Sequence, residues 1–232
     1  CASAAAKARP WPSSWSEARR DVIENIDQLR ALYGEPGQRS MLKQLPRLEA
    51  HGQRFIERSP FCVLATAGQG GALLDATPRG GEPGFVKVTD DGATLLLPDA
   101  GGNNRLDSLQ NLLADPRVSL LFMVPGIDET LRVNGTARLR DEPAFCDVFA
   151  RERLRPKVVI EVSVREAYLH CAKAFMRSRL WHPDTWKPRD MPSMGEMMRD
   201  QIGAGVLTIA ETQEQMLERY HAQLRAEQTP AG

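Results

Sequence analysis

The chain has 232 residues and a mass of 25.8 kDa, enough for one substantial core or for one domain with helical extensions. Thirty basic side chains balance thirty acidic ones, so no long-range positive field marks a binder of nucleic acid or membrane surfaces, and any anionic ligand has to be held locally. The four cysteines, Cys1, Cys62, Cys146 and Cys171, form no CxxC pair, which argues against a zinc knuckle or a disulfide scaffold and for a reducing, cytoplasmic setting. No apolar run approaches the ~20 residues that span a bilayer, and the N-terminus shows no signal-peptide h-region. Cys1 in place of Met is read as a truncated or processed start.

From Trp15 to Tyr33 the apolar residues Val22, Ile26, Leu29 and Leu32 recur at helical spacing, and Gly34 follows as a stop. A second helix is expected from Met41 to Glu57, ended by Ser59-Pro60, after which FCVLATAG reads as a strand. GALLDAT, GFVKV, TLLLP and RVSLLFMV follow as further strands, separated by Gly, Asp and Pro clusters, and together they predict a meander. One helix interrupts it, with Leu106, Leu109, Leu112 and Leu113 on one face and Pro116 ending it. TLRVNGTARLR then alternates, which sets Leu131, Val133, Ala137 and Leu139 on one face and Thr130, Arg132, Asn134, Thr136 and Arg138 on a wet or ligand-bound one. A helix near Glu142 to Arg151, a strand KVVIEVSV and a helical tail complete the chain; the tail carries two capping-box spacings, Ser193 with Glu196 and Thr208 with Glu211. Short hairpin connections favour an antiparallel barrel over βαβ units. The division expected is a helical extension over 1–58, a barrel over 59–190 and a helical tail over 191–232.

Neither a GxGxxG turn nor a P-loop is present. The helix predicted to start near Asn104 is more informative, because an Asn cap leaves backbone N–H groups free, and these with Arg105 make a phosphate cradle. An ordinary cap beside a surface arginine is the plainer alternative. Lys87 shares a strand face with Phe85 and Thr89, where by itself a solvated lysine is the plainer reading. His51, His170, His182 and His221 are isolated, so no metal site is expected, and adjacent His170 and Cys171 point apart. Lys173 and Arg177 lie four apart on one helix face, either meeting an anionic cofactor or facing water.

The blocks SPFCVLATA, TPRGGEPGFVKV, LPDAGGNNRLDSLQNLLADPRVSLLF, PGIDETLRVNGTARL and HCAKAFMRSRLW together resemble the pyridoxamine 5'-phosphate oxidase-related, FMN-binding split-barrel family, in order and spacing, over roughly residues 20–200. The resemblance is narrower still to a bacterial branch whose members mostly lack an assigned substrate. It implies a mainly β fold, an antiparallel split β-barrel with N- and C-terminal helices, and a homodimer with FMN at the subunit interface. In the oxidase a strand lysine and a Ser-Arg-Lys segment at the next helix hold the FMN phosphate. Lys87 falls on that lysine without a gap and Arg105 on the arginine after a two-residue insertion, so the resemblance implies that Lys87, Asn104 and Arg105 converge on one phosphate. The cofactor-binding set it implies is Arg79, Phe85, Val86, Lys87, Asn103, Asn104, Arg105, Thr130, Arg132, Lys173, Arg177, Ser178 and Trp181. Thr130 stands where the oxidase has a glutamine at the flavin, and Arg132 is a cation expected to favour the reduced, negatively charged ring. The oxidase's C-terminal tryptophan and arginine around pyridoxal phosphate have no clean counterpart, so vitamin B6 oxidation is not implied. The function expected is an FMN-dependent oxidoreductase acting on an unidentified small molecule. The alternative is a non-catalytic carrier or sensor of haem, deazaflavin or flavin, with His170 or Cys171 as the ligand if the group is haem.

Overall fold

A computed structural model of the protein describes residues 22–68, 73–99, 101–152, 155–203 and 205–227. The chain divides into two units, residues 1–42 and 43–232. Of the helix expected from Trp15 to Tyr33, the part before residue 22 lies outside the described residues. The rest is α1 (Ile26–Tyr33), opened by the Asn25 side chain accepting from Gln28 N and closed at Gly34, whose N–H donates to the Arg30 carbonyl. A short α2 (Gln38–Leu42) follows in that unit.

The second expected helix, Met41 to Glu57, is broken in the structure. Pro46 has no N–H to donate and disfavours the helical conformation in the residue before it. Leu45 instead forms an antiparallel bridge with Ala167, each N–H donating to the other's carbonyl. Helix α3 (Ala50–Arg58) begins only after Glu49, whose carboxylate accepts from the His51 and Gly52 amides.

Strands β1 (Phe61–Ala67), β2 (Leu74–Gly80), β3 (Lys87–Val88), β4 (Thr94–Pro98), β5 (Arg117–Val124), β6 (Ile127–Arg140) and β7 (Val159–His170) form one seven-stranded sheet. Every pairing is antiparallel, in the order β2-β1-β5-β6-β7-β4-β3. The sheet stays open between the edges β2 and β3, and the fold is a mainly β split barrel flanked by helices.

The simple meander is therefore corrected. β2 does not pair with β3; the β3–β4 hairpin crosses to the far side and joins β7 through β4. Strand β2 also runs on through Pro78-Arg79-Gly80, a stretch the sequence assigns to a turn. Proline cannot donate to a ladder, but an edge strand is bonded on one side only and tolerates it. β7 continues past Val164 to His170, and the helix expected near Glu142–Arg151 is the short α5 (Pro143–Cys146) followed by one 3-10 turn.

The core follows the alternation. Leu64, Leu95, Leu97, Leu120, Phe122, Val133 and Val162 point inward and are fully buried. Ile56 of α3 joins them, as do Leu109 and Leu112 of α4 (Asp107–Ala114). Leu106 and Leu113, expected on the same apolar face, are exposed, because a two-turn helix against a sheet buries only a narrow stripe. Gly92, at φ 69°, turns the chain between β3 and β4, where a Cβ would collide with the Leu48 carbonyl. The Leu48 N–H donates to the Gly92 carbonyl at 2.9 Å, which ties this hairpin to the segment before α3.

Towards the C-terminus lie α6 (Lys173–Ser178), α7 (Met194–Ile202) and α8 (Gln213–Glu227). The Ser193–Glu196 capping box forms as expected. The second box sits at Thr212 and Gln215 rather than at Thr208 and Glu211: Gln215 N donates to Thr212 Oγ1, and Thr212 N to Gln215 Oε1. Glu211 is instead engaged by Arg219, at 2.8 Å. Among the described residues no helix is long and apolar enough to cross a membrane.

Ile56 is 1% exposed and carries α3 onto the sheet. Ile56→Ala should lower stability by about 2–5 kcal/mol in urea unfolding, the range for truncating a buried aliphatic side chain; a loss below ~1 kcal/mol would show that α3 is not docked as described.

Candidate functional site

Arg79 is on the core-facing side of edge strand β2, opposite buried Cys62 of β1. Its Nη1 donates to Asp99 Oδ1 at 2.5 Å, and both side chains are only 18% exposed. Asp99 follows β4 directly and is held by its own N–H on the Val158 carbonyl at 2.9 Å. The ion pair thus joins the two sides of the open sheet. Arg79 Nε is shielded from solvent and has no hydrogen-bond partner.

A cavity of about 600 Å³ opens beside this pair, lined by Thr77, Arg79, Asp99, residues 101–109, Arg155, Lys157 and Val158. Among the described residues four cations and two carboxylates, Asp99 and Asp107, line it, and one of the cations, Arg155, is paired with Asp147 at 2.6 Å. Its floor is the loop leading into α4. Asn103 Oδ1 accepts from the Arg105 amide at 3.1 Å, and Asn104 and Leu106 take left-handed backbone angles, φ 58° and 59°. Left-handed leucine is uncommon and costs of order 1–3 kcal/mol, so the surrounding packing fixes this turn.

The expected Asn cap is corrected here. The cap position is Leu106, which supplies no side-chain bond, and α4 starts at Asp107. Its first-turn amides are left free of a side-chain acceptor, which suits an anion at that end of the helix. Buried polar contacts seat the helix: Ser108 Oγ donates to Asp75 Oδ2 at 2.9 Å and meets Thr77 Oγ1 at 3.1 Å, and Asn111 Nδ2 donates to Thr66 Oγ1 at 3.0 Å. Arg105 lies at the mouth, its Nε on Asp107 Oδ2 at 2.8 Å.

The structure does not bring Lys87 to this cavity. Lys87 Nζ donates to Glu152 Oε1 at 2.5 Å and to the Gly84 carbonyl at 2.9 Å. Phe85 and Val86 are core side chains. Arg79, Asn103, Asn104 and Arg105 are brought together; Arg155 and Lys157 join them without having been expected. Their only trace in the sequence is the basic run around Pro156.

The remaining candidates lie elsewhere. Thr130 and Arg132 alternate with the core residues Leu131 and Val133; Thr130 is nonetheless buried, and half-buried Arg132 donates its Nη1 to Tyr168 Oη at 3.1 Å. Lys173, Arg177 and Ser178 are exposed on α6. Trp181 stacks on Phe175 at 5.4 Å and donates its Nε1–H to the Ile127 carbonyl at 3.0 Å, closing over the start of β6. His170 ends β7 with its ring 5.0 Å from Tyr168, and Cys171 beyond it is exposed.

The family model described as pyridoxamine 5'-phosphate oxidase matches residues 48–171, more than half of the chain. The chain belongs to that family. No curated protein matches it significantly. Similar solved structures include HupZ of Group A Streptococcus, at 17% identity and TM-score 0.42, covering 52% of this chain and 91% of that one. A second is the FAD binding protein from Mycobacterium smegmatis, at 15% identity and TM-score 0.38, covering 54% and 97%. A third is General Stress Protein 26 from Bacillus anthracis str. Sterne, at 16% identity and TM-score 0.36, covering 50% and 88%.

Burial pushes the Cys62 thiol up to about 12, against the smaller opposing pull of Arg79. The thiolate is the nucleophile, so at about pH 8 Cys62 should stay unreactive. Iodoacetamide followed by peptide mass mapping should modify exposed Cys171 in the native protein and reach Cys62 and Cys146 only after denaturation. Rapid native alkylation of Cys62 would show that the β1–β2 edge is open to solvent.

Proposed function

We propose that this protein is a flavoprotein that binds FMN, works as a homodimer and acts as an oxidoreductase on a small molecule. One observation carries the reading: beside the Arg79–Asp99 pair, the Arg79 side chain and the uncapped first turn of α4 line the same cavity. A phosphate dianion is the ligand such a donor set fits, since it accepts several charge-assisted bonds at once and offsets the cavity's excess of cations. The volume, about 600 Å³, is within the range of cofactor and ligand pockets. Membership in the pyridoxamine 5'-phosphate oxidase family supports flavin as the group bearing that phosphate.

In this reading Arg79, Arg105 and Lys157 supply charge, and the amides of Asp107 and Ser108 supply directed hydrogen bonds. Asp99 holds Arg79 in one rotamer, so the guanidinium is oriented before any ligand arrives. When bound, FMN supplies hydride or electron-pair transfer, and the chain supplies position and electrostatics. Thr130 and Arg132 lie on the opposite face of the sheet from Arg79. A site completed by a second copy accounts for that separation.

That second copy also has a surface to meet. Val63 of β1 and Leu121 and Met123 of β5 are half-buried on the outer face, with Ala76 and Pro78 of β2 exposed beside them. An apolar sheet face of this kind marks an interface.

Arg105→Ala should weaken FMN by about 1.5–3 kcal/mol, the range for a bond to a charged group, while riboflavin, read by the same fluorescence-quenching titration, should bind as before. Equal losses for both flavins, or none for either, would remove the phosphate assignment. In sedimentation the FMN-loaded protein should run as a dimer at micromolar concentration, and a stable loaded monomer would rule out the shared site.

A further inference from the structure

On the outer face of β6 and β7, away from the cavity, two cations flank one phenol, Arg132 from the β6 side of β7 and Lys43 from its other edge. Arg132 and Tyr168 are cross-strand partners, and the Arg132 guanidinium carbon lies 5.7 Å from the Tyr168 ring centre. From the segment before α3, Lys43 Nζ comes to 5.5 Å from the same ring. It is fixed there by a 2.6 Å bond to the Leu169 carbonyl, and its backbone is held close by through the Leu45–Ala167 bridge. His170, paired with Thr130 one step along, places its ring 5.0 Å from Tyr168. His170 Nε2 is shielded from solvent and lacks a hydrogen-bond partner.

The charges of this cluster do not balance. Among the described residues neither Lys43 nor Arg132 forms an ion pair with a carboxylate. Glu166, on the same face one row away, is engaged by Asn134 at 2.9 Å. Next to Arg132 in its own row stands half-buried Leu121, with Val63 beyond it. Arg132, half-buried between apolar and aromatic side chains, is less well hydrated than a free guanidinium and attracts an anion strongly, while exposed Lys43 adds a second positive charge at the edge of the cluster. His170 adds no third charge: burial first, then Arg132 and Lys43, hold its imidazole below the ordinary range, so it is neutral near pH 7 and offers one N–H.

We infer that Lys43, Arg132, Tyr168 and His170 form an oxyanion subsite that holds the carboxylate or phosphate group of the small molecule this protein acts on. The inference rests on the flavoprotein reading for its link to a reaction, but the binding itself does not. Lys43 and Arg132 provide charge, and the Tyr168 hydroxyl and the His170 ring provide short-range bonds. The substrate class is thus a small organic anion, with its acidic group on the outer sheet face.

The test follows the His170 ring by NMR, assigned with His170→Gln, while acetate and inorganic phosphate are titrated in separately. Saturable shifts are expected with at least one anion. The His170 titration midpoint should rise on binding, because the bound anion offsets the two cations that hold it down. Lys43→Met, a surface change, and Arg132→Met should each raise the midpoint of the free protein and weaken the anion about tenfold or more. No saturable shift with either anion, or a response unchanged in both variants, overturns the subsite. The titration is repeated after loading with FMN and with riboflavin. A retained response with both supports a site for substrate, whereas a response blocked by FMN and kept with riboflavin means that the cofactor's own phosphate sits there and overturns it. Fluorescence quenching in the same samples reports flavin binding separately, so a failure of the flavin reading is seen as such while His170 still reports on the anion.

Discussion

The Arg79–Asp99 ion pair is the contact on which the arrangement of the cavity depends. An open antiparallel sheet has two unpaired edges. Here the strand at one edge and the end of β4, near the other, are joined by a pair that is largely withdrawn from water. Such a pair gains little net stability, because desolvation offsets most of the Coulomb attraction. What it provides is geometry. With Asp99 fixed to Val158 and Arg79 fixed to Asp99, the loop before α4 and the segment around Lys157 are brought to face one space.

Local chemistry in the sequence predicted many of the elements and little of their adjacency. β1, β4 and β5 follow alternation and turn residues closely, and the Ser193 capping box is where its spacing put it. The crossing of the β3–β4 hairpin to β7 is a long-range choice with no local signature. Edge strand β2 hides its length behind a proline that only an edge can accept. At the Asn103-Asn104-Arg105 segment the sequence suggested an asparagine cap, but the cap position is left-handed Leu106, which supplies no side-chain bond to the first-turn amides.

Distant partners are not legible in the sequence. By its place in a strand Lys87 reads as a solvated lysine and only the family resemblance makes it a ligand, whereas in the fold it pairs with Glu152, 65 residues further along the chain. Arg79, by contrast, reads as part of a turn and becomes the cation with a spare shielded donor. Lys43 and Tyr168 carried no signal at all, since their meeting with Arg132 depends on the β6–β7 register and on the break at Pro46.

Balanced net charge therefore conceals two local excesses of positive charge on opposite faces of one sheet. On the core-facing side the cations are mostly paired and the spare capacity is in directed donors, which favours a ligand of fixed shape such as a phosphate. On the outer side the cations are unpaired and lie against aromatic and aliphatic groups, where their number matters more than their direction. In the reading proposed above, one kind of site would hold the cofactor and the other would select what approaches it. If the outer face is also where two copies meet, closing that interface withdraws Arg132 further from water. The association of the copies and the capture of an anion then favour each other, because the anion removes the cost of burying an uncompensated guanidinium.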